Sequence, residues 1–353
     1  MAGDRATARR RGGAGAGAQM AAEMAEQPER LADLVARWEP TVTSVRELAP
    51  VPMAGTIIAA RGSSDHAGAF GRYLVELVSR RPVSMAAPSL HTLYRAEIDC
   101  RGYLAIAVSQ SGRTPEIVTT LERMRGGGAR ALAITTDPES PLSAAADRII
   151  ELGIGVERAV PATKTVTATM TAFALVAAAL GAVPFTQADA MALPRAVADV
   201  LADPEPPERA AAALADAPRL LTVARGLMLG AALAAALKLK ETTMTAAEGF
   251  SAADLRHGPI AVVEPGLPVL AFVSDGPTRT GMDGLVKELR ARGARVLEVG
   301  PSAAAELPLP EGLPEALLPI VAVVRAQQLA LALARRRGVD PDAPGDLTKV
   351  TAT

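Results

Sequence analysis

The chain contains an internal repeat, and this repeat constrains the fold more than any other feature of the sequence. TLERMRGGGARALAI at residues 120–134 matches LVKELRARGARVLEV at residues 285–299, and LAIAVSQSG matches VLAFVSDGP at the same offset of 165 residues. GTIIAARG and PRLLTVARG form a third pair that ends in the same Ala-Arg-Gly, at an offset of 164. Several matches in one order predict two equivalent halves, at about residues 49–185 and 218–338.

Short apolar runs alternate with helical patterns in the first half. The pattern predicts five strands, at 56–60, 83–86, 104–108, 130–134 and 148–152, and two helices, at 66–80 and 115–125. Such alternation is typical of a doubly wound, mainly parallel α/β sheet flanked by helices. We therefore expect each half to have this flavodoxin-like architecture.

The remaining segments are polar, Ala/Pro-rich or Gly-rich. Residues 1–19 carry a basic run without the apolar core of a signal peptide, and they are predicted to be a disordered tail, with Met20 as an alternative start. We expect a helical arm at 20–48, an interdomain helical linker at 186–217 and an extended C-terminal tail at 339–353.

Composition and charge exclude several classes of protein. Hydrophobic residues make up 49% of the chain, enough for two cores, and the net charge of −1 gives no general attraction to nucleic acid or to an anionic membrane. The apolar segment 165–182 is rich in Ala and interrupted by threonines, which predicts a buried helix rather than a membrane span. A single cysteine, Cys100, excludes an internal disulfide and a Cys-based metal cluster and fits the reducing cytoplasm.

A polar loop, SQSGRTPE at 109–116, directly follows a predicted buried strand. It contains three hydroxyl groups, a glycine, and a proline suited to the first position of a helix: Ser109, Ser111, Thr114, Gly112 and Pro115. Thr114 is a good helix N-cap, and a helix N-terminus offers unpaired N–H groups and partial positive charge. The loop therefore suits a phosphate held by neutral donors at the C-terminal edge of the sheet.

The alternative for this loop alone is an ordinary Ser/Gly-rich turn, which would then be the better interpretation. However, the first strand ends in a second turn with glycine and hydroxyl groups, Arg-Gly-Ser-Ser at 61–64. The matching loop of the second half has Ser-Asp-Gly-Pro, where Asp275 is expected to repel an anion. We predict one phosphate site per chain, in the first half.

Taken together, these motifs resemble the sugar isomerase (SIS) domain family. The resemblance is to the double-SIS arrangement of the isomerase half of glucosamine-6-phosphate synthase and of stand-alone glucosamine-6-phosphate deaminases. It runs from about Glu23 to the C-terminus through EQP, RGSSDHA, SQSGRT, ATKT, ALKLKE, DLRHGP and DLTKVTAT, in that order. It implies two tandem SIS domains, a hexose 6-phosphate substrate and no metal or organic cofactor.

The resemblance also implies which residues bind the substrate. The phosphate is expected on the first-half loop, with further contacts to the sugar from the turn after the first strand and from the segment at the start of ATKT. These residues are Ser109, Gln110, Ser111, Thr114, Ser64, Val160 and Ala162.

Three further residues match catalytic positions of the family. Glu241 is expected to move a proton between C1 and C2, although a Glu here is more commonly a solvated helix residue paired to Lys238 or Lys240. His257 is expected to assist ring opening from the neighbouring subunit of a homodimer, whereas a lone His is more often structural. Lys349 is expected to form a Schiff base with a ketose; without the resemblance it would be a flexible tail charge.

The other two histidines, His66 and His91, are interpreted as structural. His66 adjoins the serine turn of the first strand, so a contact to the sugar remains an alternative.

The implied reaction is an aldose–ketose shift that converts glucosamine 6-phosphate to fructose 6-phosphate and ammonia. No glutaminase domain with an N-terminal cysteine precedes the first half, so the synthase reaction with glutamine is not expected of this chain by itself. Departures from the synthase at 61–64, 161–164 and 350–353 favour the deaminase-like branch, and Ala162, in place of a serine, leaves the C2 substituent of the sugar open. The alternatives are another phosphosugar isomerase and a non-catalytic phosphosugar sensor; no DNA-binding helix-turn-helix segment precedes the domain.

Overall fold

The computed structural model describes residues 15–343, and in them the two halves form two five-stranded parallel sheets. The first sheet has the order β2-β1-β3-β4-β5, with strands β1 Gly55–Ala59, β2 Val83–Met85, β3 Tyr103–Val108, β4 Arg130–Thr135 and β5 Arg148–Glu151. The second has the order β10-β9-β8-β6-β7, with strands β6 Arg219–Ala224, β7 Ala246–Ser251, β8 Pro268–Phe272, β9 Arg295–Gly300 and β10 Leu307–Pro308. Each strand of one sheet has its counterpart in the other, which confirms the predicted pair of doubly wound α/β halves.

Fourteen α-helices connect and flank these strands within the described residues. Those up to the end of the first half are α1 Ala18–Ala25, α2 Gln27–Ala36, α3 Trp38–Leu48, α4 Ser63–Ser79, α5 Pro88–Thr92, α6 Pro115–Gly126, α7 Pro141–Ala145 and α8 Lys164–Leu180. Those of the linker and the second half are α9 Gln187–Leu201, α10 Glu205–Leu214, α11 Leu229–Thr243, α12 Ala252–Arg256, α13 Arg279–Ala291 and α14 Leu318–Arg336.

The central strands form because they are apolar along their whole length. In β3, every residue from Leu104 to Val108 is buried, as expected for a parallel strand covered by helices on both faces. The polar residues follow only after the strand ends, so the fold delivers them to the C-terminal edge of the sheet.

One core joins the two halves. It includes Phe70 and Phe173 from the first half together with Leu239 and Leu329 from the second. Helices α4 and α8 approach so closely that a Cβ on Gly71 would overlap the Phe173 ring. Because the core is shared, a site made from both halves can be held rigidly.

Helix α14 is long and apolar enough to cross a membrane by length and composition. However, 94% of its most apolar stretch is buried inside the protein, where it packs between the halves as a core helix. The apolar segment that begins at Lys164 is likewise buried, as helix α8.

The N-terminal arm contacts the segment that follows α14. Helix α1 begins at Ala18, and the backbone N–H groups of Gly17 and Gln19 donate to the carboxylates of Asp340 and Asp342 at 3.0 and 2.7 Å. The rest of the predicted N-terminal tail (1–14) and of the C-terminal tail (344–353), including Lys349, lies outside the described residues.

Candidate functional site

The loop between β3 and α6 is compact and brings two hydroxyl groups together. Ser109 is buried, and its Oγ lies 3.1 Å from Thr114 Oγ1. The N–H of Gly112 donates to the Ser109 carbonyl at 3.1 Å, with φ of Gly112 at 63°. A Cβ at Gly112 would overlap Ser140 Oγ, so this turn requires glycine on both conformational and steric grounds.

The end of β4 holds this loop from behind. The Gln110 carbonyl accepts hydrogen bonds from the Thr136 N–H at 3.0 Å and from the hydroxyls of Thr135 and Thr136 at 3.0 and 2.8 Å. Three donors on one carbonyl fix the loop backbone before any ligand arrives.

Thr114 occupies the N-cap position of α6, as predicted, and Pro115 is the first helical residue. The Thr114 hydroxyl faces Ser109 instead of capping the helix backbone. The carboxylate of Glu116, in the first turn, pairs with Arg61 Nε at 2.9 Å. This ion pair ties the start of α6 to the turn that follows β1.

The turn after β1 leads into α4 and faces the second half. Gly62 adopts φ 57° and ψ −133°, and Ser63 and Ser64 open the helix, with Ser64 buried. Ser63 lines a small cavity together with Lys238 of α11 and Gln327 of α14. The serine turn of the first half therefore adjoins residues of the second.

Glu241 lies near the C-terminal end of α11, in an ion pair. Lys238 Nζ is 2.9 Å from Glu241 Oε2, so the pairing that the sequence left as the alternative is present. It is not an ordinary surface pair, because the Lys238 side chain is only 5% exposed and the Glu241 side chain 24%. A half-buried carboxylate held by a buried ammonium has a fixed position, as a proton-transfer group requires.

His66 lies in the same charged cluster, although the sequence favoured a structural role for it. Its pKa is lowered from 6.5 to about 4 by burial, and further by Lys240 and Lys238, while Glu241 acts in the opposite direction. Its buried Nδ1 has no hydrogen-bond partner among residues 15–343. The imidazole is therefore neutral at pH 7 and carries an unused donor or acceptor.

Glu157, which the sequence did not single out, organises the segment that contains Val160 and Ala162. Its Oε1 accepts the N–H groups of Thr163 and Thr165 at 2.9 and 3.1 Å, at the start of α8, and its Oε2 accepts the Thr165 hydroxyl at 2.7 Å. The loop after β3 reaches the same carboxylate, since Gln110 Nε2 lies 3.5 Å from Oε2. Glu157 thus connects this loop to the segment before α8, in which Val160 and Ala162 are half-buried.

The N-terminal arm fastens the same segment from outside. Lys164, almost fully buried, donates from Nζ to Glu26 Oε2 and to the Val156 carbonyl, both at 2.7 Å. The Glu23 carboxylate accepts the Ala159 N–H at 3.2 Å. The sequence motifs EQP and ATKT, which lie far apart in the chain, are thus direct partners.

Two predicted catalytic residues are not brought to this site within the described part of one chain. His257 is exposed at the end of α12, and among residues 15–343 no hydrogen bond or ion pair joins its side chain to the first-half loop. Lys349 lies outside the described residues. Ser111 is on the loop, where its Oγ accepts the Arg113 N–H at 3.2 Å.

These elements define a tandem parallel α/β protein with a hydroxyl-rich loop in its first half and an acidic residue of its second half connected to it through the serine turn. The chain belongs to the SIS domain family, whose model matches residues 56–179 and 213–302. The match covers more than half of the chain and includes both halves, which confirms the predicted family.

Similar proteins agree with this membership. The chain is 32% identical over 338 residues to glutamine-fructose-6-phosphate aminotransferase (isomerizing) of Methanothermobacter thermautotrophicus, covering 94% of this chain and 56% of that protein. The chain thus spans a little over half the length of this curated relative.

Two solved structures have the same fold. A protein of Silicibacter pomeroyi DSS-3 assigned as a phosphosugar isomerase superimposes with a TM-score of 0.84 at 30% identity, covering 92% of this chain and 99% of that one. Glucosamine-6-phosphate deaminase of Thermotoga maritima gives a TM-score of 0.78 at 21% identity, covering 95% and 100%, a likeness of fold alone.

Proposed function

We propose that this protein is a phosphosugar isomerase that converts glucosamine 6-phosphate to fructose 6-phosphate and ammonia. The observation that carries the proposal is a connection from the loop between β3 and α6 to the Lys238–Glu241 ion pair. The Arg61–Glu116 ion pair joins the start of α6 to the turn before α4, and Ser63 of α4 lines a small cavity together with Lys238, the partner of Glu241. The proposed phosphate loop (109–114) and the proposed proton carrier are thus linked through the serine turn.

The first-half loop supports the binding of a phosphate monoester. Such a group carries close to two negative charges near pH 7, and it is commonly held by hydroxyls and N–H groups at a helix N-terminus. Ser109 and Thr114 offer their hydroxyls 3.1 Å apart at the start of α6. Ser111 and the Gln110 side chain belong to the same loop and complete the proposed set of phosphate ligands.

Glu241 is the proposed acid and base. In the open-chain sugar its carboxylate would take the proton from C2 and return it to C1, while a proton moves from the amino nitrogen to O1. This leaves an imine at C2 that water hydrolyses to the ketone and ammonia. Positioned general acid–base catalysis of this kind contributes roughly 10²- to 10⁴-fold. Lys238 would hold the carboxylate in place, while Ser64, Val160 and Ala162 would contact the sugar.

Names of related proteins support the same substrate class. One relative is named for fructose 6-phosphate and isomerization, and one structure with this fold is named for glucosamine 6-phosphate deamination. We also propose, as the family resemblance implies, that His257 of a second subunit opens the sugar ring and that Lys349 forms a Schiff base with the ketose. The single cysteine and this metabolic class support the cytoplasm as the location.

The proposal is tested by incubating purified protein with glucosamine 6-phosphate and measuring ammonia and fructose 6-phosphate. We expect both products in equal amounts, and a loss of about 10³-fold in kcat for Glu241→Gln. Glu122→Gln, on the exposed face of α6, is the matched control and should keep full activity. The catalytic proposal fails if neither product forms and if Glu241→Gln alters no sugar-phosphate reaction.

The proposed homodimer has its own test. If His257 acts across subunits, Glu241→Gln and His257→Asn proteins are each inactive, whereas a mixture of their subunits contains one intact site in each mixed dimer. About a quarter of the wild-type activity should return on subunit exchange. An active monomer in sedimentation, or no recovery on mixing, would contradict the shared site.

A second candidate is an isomerase for a hexose phosphate without an amino group, favoured by Ala162, which presents a half-buried methyl group where the synthase has a serine. The same assay distinguishes the candidates, because such an enzyme would interconvert the aldose and ketose without releasing ammonia. A phosphosugar sensor would bind the sugar phosphate and turn over neither.

A further inference from the structure

The loop between β8 and α13 corresponds, in the second half, to the loop between β3 and α6 in the first. Ser274 takes the place of Ser109 at the offset of 165 residues, and both are buried, at 1% and 6% exposure. In the first half the Ser109 hydroxyl faces Thr114, whereas the Ser274 hydroxyl donates to Glu315 Oε1 at 2.7 Å. An anion therefore already occupies the second loop, and it comes from the chain itself.

Glu315 reaches this loop from the segment between β10 and α14. Its carboxylate lies against the backbone of Gly276, where an added Cβ would overlap both carboxylate oxygens. Only a residue without a side chain leaves room for that approach. In the loop that leads into α13, the carboxylate thus accepts a hydrogen bond from a buried hydroxyl and packs against a glycine.

Asp275, which the sequence predicted to repel an anion at this loop, lies in an ion pair. Its carboxylate pairs with Arg279 Nη1 at 2.8 Å, and Arg279 Nε also contacts Asp283 at 2.8 Å. The charge of Asp275 is thus balanced by the first residue of α13. The group that stands where an external anion would bind is Glu315.

We propose that the β8–α13 loop is an oxyanion-binding site whose resident ligand is the Glu315 carboxylate. Removal of that side chain should leave a site for a small external carboxylate, bonded to the Ser274 hydroxyl and packed against Gly276. With Glu315 in place, this loop has no room for a phosphate, which supports the prediction that the phosphate site lies in the first half. The second-half site stands on its own contacts, whichever reaction the first half performs.

The experiment uses the full chain and follows thermal unfolding in increasing sodium acetate, with sodium chloride at equal ionic strength as the reference. Glu315→Ala should unfold about 3 °C below wild type, since it leaves Ser274 without its partner. Acetate should restore most of that loss in a saturable manner. The response must exceed that of wild type and of Glu315→Ala/Ser274→Ala, because acetate at the first-half loop would affect all three equally.

Gly276→Ala provides a second variant that keeps every polar group. Its Cβ should expel the carboxylate, lower the unfolding temperature and leave no room for acetate, so no restoration is expected. If Glu315→Ala does not fold, Glu315→Gln, which keeps one acceptor for Ser274, should lie between wild type and Gly276→Ala in stability. An acetate response in Glu315→Ala equal to that of the double variant, or a Gly276→Ala protein as stable as wild type, would overturn the proposal.

Discussion

The two halves place a carboxylate from the same topological position in different ways. Glu157 precedes α8 and Glu315 precedes α14, each in the segment between the fifth strand of a half and its last helix. Glu157 turns to the N-terminus of its own helix and to the Gln110 side chain, whereas Glu315 binds the hydroxyl of Ser274. The same loop is thus present in both halves, and in the second half the hydroxyl of its buried serine is already bonded to a carboxylate of the chain.

A negative charge added to the first-half loop should prevent the binding of a sugar phosphate there. Thr114→Asp places a carboxylate next to Ser109 Oγ, now 3.1 Å from the Thr114 hydroxyl, and aspartate is itself a good N-cap, so α6 should persist. Repulsion of a phosphate oxygen at about 4 Å costs roughly 4 kcal/mol at an effective dielectric constant of 20, which is roughly 1,000-fold in affinity. Calorimetric titration with glucosamine 6-phosphate measures the loss.

Thr114→Asn is the control for this change, since it has the same size without the charge. We expect it to bind the sugar phosphate within about tenfold of wild type. Equal affinities of the Asp and Asn variants would mean that the phosphate is not held at this loop.

The sequence predicted the two sheets well, because strands buried on both faces are recognisable as apolar runs such as Leu104–Val108. It also predicted the hydroxyl-rich loop, because Ser109 and Thr114 are neighbours in the chain. It failed for Glu157 and Glu315, which meet Gln110 and Ser274 across 47 and 41 residues. A lone Glu in a connecting segment has no local pattern that distinguishes such a role from exposure to solvent.

A mutation at Glu157 tests whether the first-half carboxylate supports the binding loop from a distance. Glu157→Gln keeps the size of the side chain but removes the charge that faces the N-terminus of α8. An NH2 group in place of Oε2 cannot accept hydrogen bonds from Thr165 Oγ1 and Gln110 Nε2. We expect a loss of about 3 kcal/mol in unfolding free energy, measured in urea, and a several-fold rise in KM.

The matching change in the second half is Glu315→Gln. It should lower stability without changing KM, because the second loop is not part of the proposed substrate site. A rise in KM of the same size for both variants would contradict the division of roles between the halves.

His66 and its counterpart give a comparison that depends on pH. At the offset of the Ala-Arg-Gly match, His66 corresponds to Gly230, and the two meet, since a Cβ on Gly230 would lie 2.8 Å from the His66 carbonyl oxygen. The folded protein keeps His66 neutral down to a pKa of about 4, whereas the unfolded chain takes up a proton below about pH 6.5. The unfolded state therefore binds more protons between these values, and stability falls as the pH is lowered through them.

His66→Asn removes this contribution. At pH 5 it amounts to about 2 kcal/mol, so the fall in unfolding free energy between pH 7 and pH 5 should be smaller by that amount in the variant. Urea unfolding at the two pH values measures the difference. His91→Asn is a comparison away from the charged cluster, and it should reduce the pH dependence in the same direction, because burial lowers the pKa of His91. A pH dependence of His66→Asn identical to wild type would show that His66 does not titrate as described.

The smallest expected effects concern Ser109 and Ser274, which occupy equivalent positions in the repeat. Ser109→Ala removes one hydroxyl from the proposed phosphate site and should raise KM about tenfold, the usual cost of a hydrogen bond to a charged group, with little change in stability. Ser274→Ala removes the donor to Glu315 and should lower the unfolding free energy by about 1 to 2 kcal/mol while KM stays unchanged. Steady-state kinetics and urea unfolding measure KM and the unfolding free energy of both variants. A hydroxyl that donates to an internal carboxylate cannot also bind a substrate, so the two serines should affect different quantities. If each serine changes KM and stability equally, the loops have not diverged in function.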